Sequence, residues 1–395
     1  MMKAMFLLSV SAVCIFAGGC TIAMTDASRP LIDARFSESP AVQGWRLRHE
    51  SVEALGQWSQ DAGAVSATVG LWESPGFAVT EQDWYRVTIN GAFAGEGLAI
   101  VQFYDVDGRQ TRDDHATGFD TSDEPMTHEF YFRGKTTGVE SKIRVFSLGR
   151  DASVTMSSVR VERSDAAAAA AWSDRVYAGM PKITFPGGDV ASRLTKTQAK
   201  LKAGGELRVV LLGDSIANDT GSSPWDAIVE RAHPGVEVTV ITSVRGGTGA
   251  WYYQEPGRVQ SFVLDHKPDL VVVMGVSHKQ RLEPIADVIQ QIEAGCDADI
   301  LLMNGGVTLE SSEMVKWERI SEERAAESVT AFAKKLNQLA ADEGLPFFDL
   351  RAAWRDYVTA SPKPAVWYRR DIIHANARGR QFLGRTLAAL VTGEE

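Results

Sequence analysis

The run Leu207-Arg208-Val209-Val210-Leu211-Leu212 ends abruptly in Gly213-Asp214-Ser215. A short run this apolar suits a strand covered on both faces, as inside a parallel sheet, where side chains have no reason to alternate in polarity. Further candidate strands follow at 236–242, 270–274, 300–303 and 346–349. Helical patterns fill the gaps at 224–232, 259–266, 285–294, about 317–342, and 377–391. Ser223-Pro224-Trp225-Asp226 carries helix-start signals, with Ser223 as N-cap and Pro224 as first helical residue. This alternation predicts a parallel sheet with helices on both faces. Chemistry in open sheets of that kind gathers at the carboxyl ends of the strands, which is where Ser215 would be displayed. Gly-Asp-Ser is equally good turn chemistry, so the tripeptide alone decides nothing.

The first half of the chain has a different grammar. From residue 31 to 161, short stretches rich in β-branched and aromatic residues are separated by Gly, Asp and Ser clusters, with candidate strands at 85–91, 97–104, 128–133, 142–148 and 154–161. Asp107-Gly108 reads as a hairpin turn. Spacing of this sort predicts an all-β, jelly-roll-like sandwich over 31–164. Its pattern resembles the carbohydrate-binding-like sandwiches attached to secreted polysaccharide enzymes. Trp45, Trp58, Trp72 and Trp84 would suit sugar stacking, but rings of that size are more often core, and core is the reading adopted. Residues 165–204 read as a linker. Asp165 and the alanine run 166–171 predict a short helical or semi-rigid connection, and the chain stays polar and irregular to about Leu201. That reading predicts modularity, in which a chain beginning near Trp172 folds alone.

At 395 residues the chain exceeds what one core usually serves, and two domains follow, with the second over 205–395. The net charge of -10 argues against a nucleic-acid partner. Residues 1–20 read as a signal peptide: Lys3 supplies the positive region, 5–16 an apolar core too short for a normal span, and small residues precede Cys20. This resembles a bacterial lipoprotein signal, although Ala17 stands where a Leu-like residue is usual. It implies a lipid anchor at Cys20, a tether over 21–30, and a place in the cell envelope; a plain secretory signal is the alternative. Cys296 would then have no disulfide partner and reads as a buried small hydrophobe.

Serine needs a base to take its proton as it attacks, histidine suits that task near neutral pH, and a carboxylate on its other nitrogen fixes the tautomer. Asp371-Ile372-Ile373-His374, just before the last helix, offers both partners from one loop. Together these motifs resemble the SGNH (GDSL-type) hydrolase family over about residues 205–393. The resemblance implies an α/β/α sandwich with a flavodoxin-like parallel sheet, Ser215 as nucleophile, His374 as base and Asp371 as its orienting carboxylate. It also implies oxyanion donors at the N–H groups of Ser215 and Gly249, the latter in Arg245-Gly246-Gly247-Thr248-Gly249. The family's Gly-x-Asn-Asp block is Gly275-Val276-Ser277-His278 here, which leaves Ser277 and His278 as rival third donors. His278 as the base is disfavoured because no suitably placed carboxylate accompanies it. His49, His115, His128, His233 and His266 show no metal-ligand spacing and read as structural or surface residues. Neither a metal nor an organic cofactor is implied.

Trp251, Tyr252, Trp367 and Arg369 flank the expected site and suit a sugar chain through stacking and bidentate contacts, with loop packing as the plain alternative. The resulting expectation is a serine esterase removing O-acetyl or other short acyl groups from a polysaccharide. Its rivals are a lipase, thioesterase or acyltransferase of the same fold, and an inactive surface glycan-binding protein.

Overall fold

The computed structural model describes residues 29–49, 53–111, 114–135, 138–185, 189–274, 280–306 and 322–394. The signal segment with Cys20, and the block holding Ser277 and His278, lie outside the described residues.

Among the described residues the first half forms one 10-stranded antiparallel sheet that folds over itself as a sandwich. Its spine is a pair of long strands, Trp84–Tyr104 and Glu140–Ser164, laddered along almost their whole length. The expected strands at 85–91 and 97–104 are thus one strand, as are those at 142–148 and 154–161. Register shifts at Gly91/Phe93, Leu148/Ser153 and Met156/Ser158 explain the difference, because bulges let a ladder bend without ending. Ser122–Arg133 and His115–Phe119 pair with the other edge of Trp84–Tyr104. Aromatic side chains fill the space between the layers: Phe36, Tyr85, Phe93, Phe103, Phe130 and Phe132 are buried. Trp45 and Trp72 are buried with them, Trp84 is buried separately against Tyr131 and Ala169, and half-buried Trp58 donates its indole N–H to the Phe36 carbonyl at 2.7 Å. All four tryptophans therefore go to packing. The Asp107-Gly108 turn is present, with Gly108 at φ 74° and its N–H on the Asp105 carbonyl at 2.9 Å.

The second half is a five-stranded parallel sheet in the order Val236–Val244, Gly205–Gly213, Leu270–Met274, Asp299–Met303, Phe347–Phe348. Numbered along the chain this is 2-1-3-4-5, the flavodoxin-like doubly wound order. Alternate side chains of Gly205–Gly213 serve two separate cores. Leu207, Val209 and Leu211 pack with Phe382 and Leu387 on one face, while Val210 and Leu212 pack with Ile289 and Phe332 on the other. Burial on both sides accounts for the unbroken apolar run.

Several local expectations give way. Ser223 does not cap a helix: its hydroxyl donates to the Thr220 carbonyl, and the helix Asp226–Ala232 starts without a side-chain cap. The stretch read as irregular holds helices Asp189–Arg193 and Thr195–Ala203, whose Ala191, Thr197 and Leu201 are buried beneath a polar exterior. Cys296 is half-buried, its sulfur on the Ile292 carbonyl. The alanine run forms the helix Ala166–Ala178, capped by Asp165 on the Ala168 N–H at 2.7 Å, and this helix is docked on both halves. Trp172 packs on Tyr131 of the sandwich, while Ser173 donates to Gln381 at 2.8 Å and Asp174 bonds Arg231 and Arg385.

Candidate active site

The central strand Gly205–Gly213 lies between Val236–Val244 and Leu270–Met274, with Gly213 level with Val244 and Met274. In this strand order the crevice between the first and third strands is the switch point where ligands collect. Gly213 has to be glycine there: a Cβ would come 1.9 Å from the Met274 carbonyl oxygen. Asp214 accepts the Ile216 N–H at 2.9 Å and so caps the helix Ser215–Gly221, which puts Ser215 on its first turn. A first-turn N–H has no intrahelical acceptor, so the backbone at Ser215 is a free donor by construction.

Across the crevice, the loop before the helix Ala377–Thr392 folds back on itself. Arg370 N–H donates to the His374 carbonyl at 3.1 Å, and Asn376 N–H to the Tyr368 carbonyl at 3.1 Å. Asn376 also caps the final helix, accepting from Arg378 and Gly379, and its amide donates to the Trp367 and Arg369 carbonyls at 3.0 and 3.2 Å. One Asp371 oxygen accepts the N–H groups of Ile373 and His374 at 2.8 and 2.9 Å, which leaves the other for the imidazole. That oxygen lies 2.8 Å from His374 Nδ1, and His374 Nε2 lies 2.8 Å from Ser215 Oγ. Burial works against the charge on Asp371, but the bond and charge of His374, the Ile373 N–H and Arg370 outweigh it and hold the carboxyl well below the usual range. An ionised carboxylate only accepts, so the Nδ1 proton goes to Asp371 and Nε2 is free to receive the serine hydroxyl.

The glycine-rich turn follows the neighbouring strand Val236–Val244. Arg245 N–H donates to the Gly213 carbonyl at 3.0 Å, and the buried Tyr253 hydroxyl reaches the same oxygen at 2.5 Å. Gly247 takes φ 68°, a left-handed conformation that favours glycine, and Gly249 leads in extended form into the helix Ala250–Tyr253.

Residues 211–382 match the family described as GDSL-like Lipase/Acylhydrolase. This domain is a GDSL-type acylhydrolase. No curated protein matches the chain. Among solved structures it is similar to a two-domain esterase active on acetylated mannans, at 17% identity over 53% of this chain and 55% of that one, with a TM-score of 0.40. It is also similar to an α/β hydrolase from the metagenome of Lake Arreo, Spain, at 14% identity over 48% of this chain and 95% of the other, TM-score 0.37. The xylan-binding domain CBM22-1 from Paenibacillus barcinonensis is similar at 15% identity over 35% of this chain and 97% of its own, TM-score 0.27. The chain thus spans little more than half the length of the mannan esterase.

The residues flanking the acylhydrolase site divide. Tyr252 is buried, with the guanidinium groups of Arg245 and Arg258 at 4.6 and 4.4 Å from its ring centroid, so it packs the turn. Trp251 is half-buried, edge-on to Tyr252. Trp367 is half-buried, with Arg378 at 4.2 Å and Lys363 at 5.4 Å from its centroid. Arg369 spans the catalytic loop to the Ile372 carbonyl at 3.0 Å, and its Nε has no partner among the described residues. Ser277 and His278 lie outside the described residues. Among those described, no group of His, Cys, Asp and Glu has the arrangement of a metal site. Sequence reasoning missed the polar residues under the loop, Asp219, Arg370, Arg380 and the sandwich residue His115, each of which is buried.

Proposed function

We propose that this chain is a serine esterase that removes O-acetyl or other short acyl groups from a polysaccharide. The observation that carries the reading is the unbroken relay from Ser215 Oγ through the His374 imidazole to Asp371, at 2.8 Å per step. In the reaction, Ser215 Oγ bonds to the ester carbonyl carbon while its proton passes to His374 Nε2. The imidazolium so formed faces Asp371. The N–H groups of Ser215 and Gly249 hold the oxyanion, with Ser277 or His278 as the third donor. The sugar alcohol leaves with the proton from Nε2. Water then attacks the acyl-serine by the same route in reverse and frees the carboxylic acid.

A glycan substrate is supported by polar surroundings, with Trp367 and Arg369 on the catalytic loop, and by a β-sandwich docked directly against the site. The N-terminal segment supports export to the cell envelope with an anchor at Cys20. Release of acetate from acetylated glycans, measured with wild type and Ser215→Ala, tests the reading. Acetate released by wild type alone supports it. Preference for long-chain acyl esters with no release from any glycan would replace it with a lipase or thioesterase.

A further inference from the structure

Asp219 sits four residues after Ser215, one turn further along the same helix, and has no solvent exposure at all. Its carboxylate takes Arg370 Nη1 at 2.7 and 3.0 Å, Arg380 Nη2 at 3.1 Å and the Ala375 N–H at 2.9 Å. Arg370 and Ala375 are the residues on either side of the Asp371–His374 segment, and the Arg370 guanidinium also donates to the Ala375 carbonyl. One buried carboxylate therefore grips both ends of the segment that carries the base, from the helix that carries the nucleophile.

Arg380 extends the network into the other domain. Its Nη1 lies 3.0 Å from His115 Nε2 and its Nη2 donates to the Ala116 carbonyl, both in the sandwich strand His115–Phe119. An arginine can only donate, so the His115 nitrogen accepts and its ring is neutral. Burial, with the charges of Arg380, Lys135 and Arg370, holds that imidazole well below its ordinary value. Three residues after His115, Gly118 lies against Arg370, and a Cβ there would come 2.7 Å from the Arg370 Cβ. Asn218, beside Asp219, donates to the Asp114 carbonyl at 2.6 Å and accepts from Lys135 at 2.9 Å, so the sandwich also holds the nucleophile helix. Burial would raise the Asp219 carboxyl, but Arg370 and Arg380 outweigh it and keep the group below the usual carboxylate range.

We infer that Asp219 is a positioning residue that keeps Ser215 and His374 in register, and that Arg380 makes the sandwich strand His115–Phe119 a structural part of the catalytic centre. Buried ion pairs are often no more stabilising than apolar residues of the same volume, so stability alone is a poor reason for this node. What it supplies is a fixed relation among three chain segments, the kind of restraint whose loss by about 1 Å costs about 10²-fold in rate. The inference rests on the Ser215–His374 relay proposed above.

The test uses the full chain, a small acetyl ester, and kcat per active serine titrated with a phosphonate. In Asp219→Asn, kcat should fall roughly 30- to 100-fold with KM within about twofold, as expected for lost alignment rather than lost binding. Removing a negative charge near His374 destabilises its imidazolium, so the acidic limb of the pH–rate profile should move to lower pH. If Asp219→Asn does not fold, Arg380 decides: Arg380→Met should lose kcat per titrated serine and Arg380→Lys should recover most of it. An Asp219→Asn or Arg380→Met enzyme with wild-type kcat per serine and an unmoved pH profile overturns the inference. Wild type inert on every ester, or Ser215→Ala as active as wild type, overturns the underlying mechanism instead.

Discussion

The two flanks of Ser215 are built by different means. On the His374 flank, the loop from Trp367 to Asn376 is tied to buried charges and to the cap of the final helix, with Asp219, Arg370 and Asn376 together bonding the backbone at Trp367, Arg369, His374 and Ala375. On the Gly249 flank, the turn is held by local bonds, Thr248 Oγ1 to the Arg245 carbonyl at 2.7 Å and Arg245 N–H to Gly213. On the mechanism proposed above, the contrast follows from what each side would have to do. A base exchanges a proton with two successive partners, and its ring has to be aimed by side chains. An oxyanion needs backbone donors facing one point, and a glycine turn at a strand end provides them with few specific side chains.

Removing the relay itself gives the largest expected effect. Ser215→Ala and His374→Ala should each lower kcat on a small acetyl ester by about 10⁶-fold, and Asp371→Asn by about 10⁴-fold through the wrong tautomer. An Asp371→Asn enzyme at wild-type rate would remove the orienting role from that flank. For the proposed oxyanion, one lost donor should cost about 3 kcal/mol, or roughly 10²-fold in kcat. His278→Ala should show that loss and Ser277→Ala should not, since the longer ring has the reach to replace a missing amide. A loss confined to Ser277→Ala would reverse the assignment.

A third effect, of another kind, is expected on stability. The docked interface leads to an expectation other than simple modularity. A chain beginning at Trp172 would leave Asp226 without Arg133, which it meets at 2.5 Å, and Arg380 without His115 and the Ala116 carbonyl. Such breaks cost about 3–5 kcal/mol for a buried pair whose other member stays buried, and less where water reaches the survivor. Calorimetry should therefore find that chain unfolded or with a markedly lower Tm, and a Tm equal to that of the full protein would restore the modular view.

The smallest expected effect is on acid stability. Burial holds the imidazoles of His115 and His128 below their ordinary values in the fold. Unfolded histidines take up protons below about pH 6.5, so the unfolded state binds more protons and stability falls as the pH drops through that value. Denaturant titrations should show stability falling as the pH drops, with a slope of at most about 1.4 kcal/mol per pH unit for each such histidine. His115→Gln should flatten the curve, and an unchanged curve would mean that His115 is charged in the fold.

Much of this was legible in local sequence. The run ending at Gly213-Asp214-Ser215 marks a two-faced strand because burial on both sides leaves its own composition behind. Asp371 and His374 stand out because a three-residue spacing lets one loop carry both. The node at Asp219 left no such trace. Its partners Arg370 and Arg380 lie 151 and 161 residues away, and His115 is 265 residues from Arg380. A lone Asp on a helix or Arg before a loop reads as surface polarity until the fold brings them together. The long strands were divided for a related reason: bulges resemble turns in composition, and only the partner strand shows that the ladder continues.

The helix Ala166–Ala178 also fixes a length. Because it is bonded to Gln381, Arg231 and Arg385 at one side and packed on Tyr131 at the other, it works as a strut between the halves. Any long substrate that touches both the sandwich and the serine meets them at one constant spacing. Were the proposed glycan gripped by the sandwich, that spacing would act as a gauge, the point of grip selecting which unit faces Ser215.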